Sequence, residues 1–395
     1  EHDLLGDYQV PKDAYWGVHT ARAVDNFPIS GVPIGHYRSL IRALAIVKQA
    51  TAEANFELGE LEPSIKDAIV KASIRVAEGE FDSQFVVDAI QGGAGTSTNM
   101  NANEVIANVA IEILGGQKGD YTIVHPLNDV NQSQSTNDVY PTSLKLALIF
   151  EINELLKAMA HLEKAFQDKA VEFKDVIKMG RTQMQDAVPM TLGQEFAAFS
   201  RMTMEDIQRL REVLPLLREI NLGGTAIGTG INAPVGYPKK ACEALSKLTG
   251  FDFVLAEDMV EATQDAGVFV TVSGVLKRIA VKLSKTSNDL RLLSSGPRAG
   301  LDEINLPPRQ AGSSIMPGKV NPVIPEVVNQ IAFAVVGNDL TVTMAVEAGQ
   351  LQLNAFEPIM CRALMMSITK LRQGCYVLAD ACVSGITANQ EKLRL

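Results

Sequence analysis

The sequence predicts an all-α protein built around a bundle of long helices. Apolar residues recur at helical spacing over several stretches of roughly thirty residues. One stretch alternates steps of four and three for three heptads, a pattern suited to nearly parallel helix packing: Val272, Leu276, Ile279, Leu283, Thr286, Leu290 and Leu293. No strand-rich block, internal repeat or low-complexity tract interrupts these patterns. We therefore expect packed helices to dominate the fold.

The N-terminal third predicts a mixed region of irregular segments and shorter helices. Pro, Gly and polar residues interrupt residues 1–35, which favours an irregular entry segment with a short hairpin. Residues 37–56 and 64–77 have helical apolar spacing. Residues 91–109 place a glycine and hydroxyl cluster before a helix, whose free N–H groups suit an anion, although an ordinary capped helix fits the same spacing. Polar residues 128–138 repeat this arrangement.

The remaining residues predict the long-helix bundle. Two further patterns run through Leu155, Met159, Leu162, Phe166 and Phe173, and through Phe199, Ile207, Leu210, Leu214, Leu217 and Ile220. We expect Pro215 to kink the second helix. Residues 327–346 are apolar nearly all round, with Asp339 as their only charge, so this helix is expected to be buried on all sides. One chain has too few long helices to surround it, which predicts association across subunits.

Composition excludes several classes of protein. The chain has 395 residues, 46% of them hydrophobic, and a formal net charge of −10, so it can bury a large core but has no basic field for nucleic acid. No apolar run of about eighteen residues predicts a membrane span, and the N-terminal residues lack a signal region. Four cysteines without CxxC spacing predict neither zinc nor disulfides. We expect a cytoplasmic globular protein without nucleic-acid or membrane partners.

Residues 311–322 form the segment where we expect the chemistry. They read Ala-Gly-Ser-Ser-Ile-Met-Pro-Gly-Lys-Val-Asn-Pro, and their polar side chains belong to Ser313, Ser314, Lys319 and Asn321. The Gly and Pro residues exclude a regular helix or central strand. A phosphate-binding P-loop is also excluded, because five residues separate Gly312 from Gly318 and a valine follows the lysine. Such a loop can hold an anion, although composition alone fits a plain surface loop equally well.

The eleven residues from Gly312 to Pro322 resemble the signature loop of the aspartase/fumarase superfamily of lyases. The resemblance extends over essentially the whole chain. It implies an N-terminal domain at 1–134, a central long-helix bundle at 135–383, and the start of a C-terminal domain at 384–395. It also implies a homotetramer whose subunit bundles merge in one core. No organic cofactor or metal ligand is implied, and the residues do not decide whether a divalent cation activates the protein.

The same resemblance implies a role for each polar cluster. A base removes a Cβ proton from the substrate, and the negative charge moves into the neighbouring carboxylate as an aci-carboxylate. The base would be Ser313. The donors to the β-carboxylate would be Thr96, Ser135, Thr136 and Ser314. The substrate-binding residues would further include Thr182, Lys319 and Asn321 at the α-carboxylate, Asn137 near the leaving group, and Gln183. In this family three different subunits supply these regions to one active site.

The residue at position 183 bears on the leaving group. Residues 180–195 resemble aspartases and fumarases alike, but fumarases have His where this chain has Gln183. Loss of hydroxide benefits from a proton relay, which glutamine cannot supply, whereas an ammonium group leaves as neutral ammonia. Residues 321–330 also resemble aspartases. We therefore expect reversible conversion of L-aspartate to fumarate and ammonia, with a fumarase, another amino-acid lyase and a non-catalytic helical oligomer as alternatives.

Other polar residues are weaker candidates. His161 lies in a regular helix, where a surface or packing role is more common, and His19 and His125 lie in irregular segments. Glu326 matches the carboxylate that partners His in fumarases, but Gln183 leaves it without that His. The glycine run at 223–230 follows a helix and not a strand, which predicts helix termination and not a nucleotide site.

Overall fold

The structure, a computed structural model, describes residues 1–394 and is mainly helical, which confirms the predicted fold class. Twelve α-helices lie in this range: α1 (Val18–Asn26), α2 (Arg38–Glu57), α3 (Pro63–Ala77), α4 (Thr96–Ile113), α5 (Thr136–Glu172), α6 (Leu192–Leu217), α7 (Tyr237–Thr249), α8 (Met259–Gln264), α9 (Gly267–Leu293), α10 (Val323–Glu347), α11 (Glu357–Ala381) and α12 (Gln390–Leu393). A π-helical segment, Pro126–Val130, precedes α5.

The strands in the same range are short and occur in four pairs. They are β1 (His2–Asp3), β2 (Gly6–Asp7), β3 (Ile177–Thr182), β4 (Gln185–Thr191), β5 (Glu219–Ile220), β6 (Val254–Leu255), β7 (Ile304–Asn305) and β8 (Thr387–Ala388). The pairs are β1 with β2, β3 with β4, β5 with β6, and β7 with β8. Only β5 and β6 run parallel. The pairs are too short to form a sheet layer, so helices supply the core.

The entry segment contains the predicted hairpin and one helix that was not predicted. Strands β1 and β2 pair in antiparallel register. Helix α1 was missed because its buried face consists of small residues, including Ala21 and Ala23, which give a weak hydrophobic pattern. Helices α2 and α3 confirm the patterns at 37–56 and 64–77 to within one residue at each end.

The chain divides into two compact units, the first comprising Glu1–Phe150, Leu214–Val270 and Thr341–Met365. In this unit α2 packs against α3, α4 and α7, and α4 also packs against α1, α3 and the π-helical segment. Fifteen of the eighteen residues of α4 are buried, and several of them are polar. Buried polar groups need internal hydrogen bonds. Helix α4 is therefore expected to be joined to its neighbours by side-chain hydrogen bonds.

The second unit comprises Glu151–Val213, Thr271–Leu340 and the residues from Met366 onward, and contains parts of five long helices. Hydrogen bonds join these helices in a closed order, α5–α6–α9–α10–α11–α5. The donor and acceptor pairs are Ser200 and Glu163, Arg278 and Asp206, Asn329 and Ser284, Asn338 and Ser367, and Arg372 and Glu151. This arrangement is the predicted bundle.

The predicted seam of α9 is confirmed, because all seven of its positions are buried. Pro215 lies in the last turn of α6, two residues before the helix ends, and the kink stays a prediction. The domain boundaries at 134 and 383 also stay predictions. Helix α5 begins at Thr136 and α11 ends at Ala381, so each boundary lies two residues outside a helix terminus.

Helix α10 differs from its prediction within a single chain. It was expected to be buried on all sides, but Phe333 is 69% exposed, Leu340 61% and Met344 63%. These side chains recur at three- or four-residue spacing with Val336 and form one apolar stripe, which we call the α10 stripe. By length and composition alone α10 could cross a membrane. The α10 stripe is also what an interface between subunits would cover.

Candidate active site

The first predicted donor, Thr96, is the first residue of α4 and is half-buried. Gly95 before it has a φ of 91°, and a Cβ there would lie 2.5 Å from the Tyr140 ring, so both backbone and space require glycine. The Thr98 N–H and hydroxyl both donate to Oε1 of Gln91, at 3.1 and 3.0 Å. The Gln91 side chain therefore fixes the first turn of α4.

Three more predicted donors open α5, and all three are half-buried. The N–H of Ser135 donates to Oδ1 of Asp138 at 3.1 Å, and the N–H of Asn137 donates to Oγ of Ser135 at 3.1 Å. The Asn137 side-chain amide donates to the carbonyl of Ala226 at 2.8 Å. These bonds hold Ser135 and Asn137 at the start of the helix and satisfy backbone N–H groups of its first turn.

Asp138 connects this helix start to the predicted glycine turn. Its Oδ2 accepts the N–H groups of Gly223 at 3.0 Å and Thr225 at 2.9 Å. The carboxyl group is fully buried, and burial raises its pKa to about 7, although these N–H groups and Lys48 act in the opposite direction. The run at 223–230 lies in a turn after α6, as predicted, and its function is to hold the α5 start.

Asn99 joins α4 to α5. It is buried, and its Nδ2 donates to Oγ1 of Thr136 at 3.1 Å and to Oδ1 of Asn131 at 3.1 Å. Because Thr96 lies one turn before Asn99 on α4, the donors of both helices belong to one hydrogen-bonded region. We call Thr96, Ser135, Thr136 and Asn137 the donor cluster. No local pattern singled out Asn99 or Asn131 in the sequence analysis.

Thr182 and Gln183 lie at the tip of the β3–β4 hairpin, which was not predicted. Gln183 and Met184 form its two-residue turn with φ values of 53° and 64°. Such turns usually contain Asn-Gly or Asp-Gly, so the sequence carried no hairpin signal here. Thr182, Gln183 and Met184 are all exposed. The tip therefore holds Thr182 and Gln183 away from the core of the unit.

A buried ion cluster anchors the base of this hairpin and was also missed. Lys178 of β3 is buried and pairs with Glu195 at 2.6 Å and Glu303 at 2.8 Å. Arg181 pairs with the other oxygen of Glu303 at 2.5 Å. Two cations share the buried Glu303 carboxylate, which fixes the β3 strand up to the residue before Thr182.

The signature loop, residues 311–322, is closed at its base. The N–H of Gly312 donates to the carbonyl of Lys319 at 2.8 Å, and the amide of Asn321 donates to the carbonyl of Gly312 at 3.0 Å. A Cβ at position 312 would lie 2.3 Å from that Lys319 oxygen. Glycine is therefore required for the closure. Ser314 and Lys319 are exposed, whereas Asn321 is half-buried.

Ser313 occupies a distinctive position in this loop. Its Oγ accepts the backbone N–H groups of Ile315 at 3.0 Å and Met316 at 3.1 Å. Two donors aimed at one hydroxyl oxygen stabilise negative charge on it, and the hydroxyl hydrogen is left for another acceptor. The loop geometry is therefore compatible with a serine that loses its proton.

The predicted residues fall into three groups, which we describe separately. The donor cluster lies in the first unit, and the hairpin tip and signature loop lie in the second. Within residues 1–394 no hydrogen bond joins the hairpin tip to the loop. The individual roles of Ser313, the donors and Gln183 stay predictions.

Two of the histidines that were weaker candidates, His125 and His161, form contacts that give them structural roles. His125 accepts the N–H groups of Leu127 and Asn128 through Nδ1 and caps the π-helical segment. His161 forms an exposed pair with Asp380 at 2.6 Å, which confirms its surface role. No group of three His, Cys, Asp or Glu side chains in residues 1–394 is arranged to hold a metal ion. The expectation about cofactors stays a prediction.

A protein-family model described as lyase matches residues 6–337. This chain belongs to the lyase family. Similar proteins named aspartate ammonia-lyase include one from Pseudomonas aeruginosa, 60% identical over 393 residues that span 99% of this lyase and 83% of the relative. Another, from Escherichia coli, is 55% identical over 392 residues, which span 99% of this lyase and 82% of the relative.

Solved structures support the same family fold. A fumarate lyase:delta crystallin from Brucella melitensis, in a crystal structure bound to cobalt, is 57% identical to this lyase with a TM-score of 0.99. The match covers 100% of this chain and 86% of that one. A class II fumarase from Schistosoma mansoni is 36% identical with a TM-score of 0.96. This match covers 100% of this chain and 85% of the fumarase chain. The long-helix bundle is therefore the fold of this lyase family.

Proposed function

We propose that this lyase converts L-aspartate reversibly to fumarate and ammonia. The observation that carries the proposal is the 55–60% identity, over 99% of the chain, to proteins named aspartate ammonia-lyase. The class II fumarase is 36% identical, which places the chain nearer to the aspartate enzymes. Gln183 agrees with this assignment, because a departing ammonia needs no titrating relay.

The first chemical step is removal of a Cβ proton by Ser313. The Cβ–H bond breaks, its electron pair moves into the adjacent carboxylate, and the proton goes to the Ser313 alkoxide, which becomes a hydroxyl. The N–H groups of Ile315 and Met316, at 3.0 and 3.1 Å from Oγ, support this role because they stabilise an alkoxide. The second step breaks the Cα–N bond and releases ammonia as the double bond forms.

The intermediate carries two negative charges on the carboxylate next to Cβ, and neutral donors balance them. We assign Thr96, Ser135, Thr136 and Ser314 to this carboxylate. Each donor aimed at the developing charge contributes about 3 kcal/mol, by analogy with oxyanion-hole deletions. The hydrogen bond from Asn99 to Thr136 supports the assignment, since the Thr136 oxygen is already occupied and its hydrogen remains free to donate.

The other carboxylate is assigned to Thr182, Lys319 and Asn321, and the leaving group to Asn137 and Gln183. Lys319 is exposed on the loop and can reach an anion. Asn321 and Asn137 each use one amide hydrogen within the chain, to Gly312 and Ala226, and keep one for substrate. No organic cofactor takes part in these steps, and a divalent cation would act only as an activator.

The protein is proposed to work as a cytoplasmic homotetramer in which three subunits complete each active site. The α10 stripe supports association, because exposed apolar residues on one helix face favour burial against another copy. Sedimentation at micromolar concentration is expected to show four copies of the 42.6 kDa chain. A monomeric species under these conditions would contradict the assembly.

The substrate proposal is tested with purified protein and two separate substrates. L-Aspartate and L-malate are each incubated with the protein, and fumarate is followed by its ultraviolet absorbance. We expect fumarate from L-aspartate and none from L-malate. Signal from malate alone would indicate a hydratase, and silence with both substrates would indicate a non-catalytic helical oligomer.

A further inference from the structure

Lys48 is a fully buried lysine that the mechanism above does not use. It lies in the middle of α2 and has 0% exposure. Its Nζ donates to two neutral oxygens, Oδ1 of Asn131 at 3.0 Å and Oε1 of Gln134 at 2.8 Å. Lysine is almost never fully buried unless its ammonium group is paired. A buried ammonium group bound to two amides therefore calls for a reason beyond packing.

The contact with Lys48 fixes the orientation of the Asn131 amide. An ammonium group can only donate, so the oxygen of Asn131 must face Lys48. The same oxygen accepts Nδ2 of Asn99 at 3.1 Å and Nδ2 of Asn103 at 3.2 Å. The Asn131 nitrogen points the other way and donates to the carbonyl of Gln134 at 3.2 Å. Each amide is therefore held in one of its two possible orientations.

The orientation of Asn99 in turn decides what the Thr136 hydroxyl can do. Because the Asn99 nitrogen faces Asn131, it also donates to Oγ1 of Thr136. A hydroxyl that accepts this bond keeps its hydrogen for another acceptor. If Asn99 turned over, its oxygen would take up the Thr136 hydrogen instead.

We propose that Lys48 is a positioning residue for the lyase reaction, which orients Asn131 and Asn99 so that the Thr136 hydroxyl remains free to donate to a substrate carboxylate. The inference rests on the proposed function, because that function assigns Thr136 to the substrate. Lys48 itself touches no reacting atom. Its effect on catalysis passes through two side-chain amides.

The inference does not depend on the charge of Lys48. Burial lowers its pKa to about 7, while the nearby Asp138 acts in the opposite direction. A neutral amine still has two hydrogens, one for each of its two acceptors. Both hydrogen bonds can therefore be kept when Lys48 is neutral.

The test compares Lys48→Met with a matched control, Lys169→Met. Methionine keeps the length of the side chain and removes its donors. Lys169 is also nearly buried, and its Nζ bonds to Glu172 and to the carbonyl of Ile386, outside the donor cluster. We expect Lys48→Met to lower kcat for L-aspartate about tenfold to hundredfold, while Lys169→Met leaves kcat unchanged. An equal loss in both variants would overturn the inference.

The decisive measurement is a double-mutant cycle with Thr136→Val. If Lys48 acts through Thr136, the double variant should be no slower than Thr136→Val alone. Losses that multiply would overturn the inference even if each single variant is impaired. This readout separates a positioning role from a general loss of stability, because a general loss would add to the Thr136 effect.

A second variant keeps the test decisive if Lys48→Met does not fold. Asn99→Asp preserves shape but presents only oxygens, so Thr136 must donate its hydrogen to Asp and not to substrate. We expect the same loss of kcat and the same non-additivity with Thr136→Val. Full activity of Asn99→Asp would overturn the inference. If the unaltered protein forms no fumarate from L-aspartate, the proposed function fails first, and the inference fails with it.

Discussion

The donor cluster and the signature loop are built in opposite ways. The donor cluster rests on buried side chains, among them Asn99 and Asp138, which fix each helix start through several hydrogen bonds. The signature loop is closed only at its base, and Ser314 and Lys319 on it are exposed. One region is therefore organised before substrate arrives. The other leaves Ser314 and Lys319 open to a ligand or to another chain.

This difference suits the two tasks that we propose. Donors that stabilise developing charge are most effective when they need no reorganisation during the reaction. A base on a loop can instead leave room for substrate to enter and products to leave. The difference also predicts how substitutions behave, since changes under the donor cluster should affect stability as well as activity, and changes in the loop should affect activity alone.

The largest effect is expected for Ser313→Ala. Loss of a base lowers turnover by about 10²–10⁴-fold. Because the two N–H groups bonded to Ser313 belong to exposed residues, water can replace its hydroxyl, and the unfolding free energy should change by less than about 0.5 kcal/mol. The measurements are fumarate absorbance and thermal unfolding. Ser314→Ala in the same loop removes one donor and should cost less, whereas near-normal turnover of Ser313→Ala would contradict its role as base.

Two glycine substitutions compare the regions directly. Gly95→Ala places a Cβ 2.5 Å from the buried Tyr140 ring at a φ of 91°, and should lower the unfolding free energy by about 2–4 kcal/mol. Gly312→Ala places a Cβ 2.3 Å from the Lys319 carbonyl, which opens the loop closure and should reduce activity at nearly unchanged stability. Denaturant unfolding and fumarate release measure both variants. Equal losses of stability would remove the distinction between the regions.

A buried acid on α4, the helix that begins at Thr96, predicts a pH effect on stability. Burial raises the pKa of Glu104 on α4 to about 8, while its hydrogen bonds from Thr20 act in the opposite direction. An acid with a raised folded pKa stabilises the fold below its unfolded value of 4.5, and this contribution is lost as the pH rises to about 8. Residues 311–322 contain no carboxyl group, so the loop contributes no such effect.

The variant Glu104→Gln tests this pH dependence. Unfolding free energies measured from pH 5 to 8 should fall for the unaltered protein and fall less for the variant. The difference is expected on the order of 3 kcal/mol, because one pKa unit corresponds to about 1.4 kcal/mol. Parallel pH profiles of the two proteins would contradict a raised pKa at Glu104.

The smallest effect is expected at the hairpin tip, where Gln183 and Met184 both have positive φ values. Glycine at either position relieves about 1 kcal/mol of backbone strain, so Met184→Gly and Gln183→Gly should unfold at slightly higher temperature. Only Gln183→Gly should reduce activity, because Gln183 is the predicted substrate contact. Equal activity of the two variants would remove Gln183 from the site.

Local patterns predicted much of this structure, and long-range contacts account for what they missed. The seam of α9 and the limits of α2 and α3 follow from apolar spacing, which is a property of neighbouring residues. Lys48 and Asn131 are 83 residues apart in sequence, and no local pattern connects a lysine to a distant amide. The β3–β4 hairpin was missed because its turn lacks glycine. The positive φ values of Gln183 and Met184 therefore had no signal in the sequence.

The loop closure, in contrast, agrees with what its glycines and prolines predicted. Those residues excluded regular structure over 311–322, and the chain there folds back through the contact between Gly312 and Lys319. The site roles of individual residues could not be derived in the same way. In the proposed homotetramer they depend on how copies of the chain meet, which spacing within one chain does not encode.

The α10 stripe has a further consequence for a newly synthesised chain. In the proposed homotetramer, Phe333, Leu340 and Met344 are exposed until assembly covers them, and until then this apolar surface can bind another partly folded chain as well as the correct partner. At low protein concentration assembly is slow, and at high concentration partly folded chains aggregate. The yield of refolded protein should therefore be greatest at an intermediate concentration. Folding chaperones would widen that window by shielding the stripe until partners arrive.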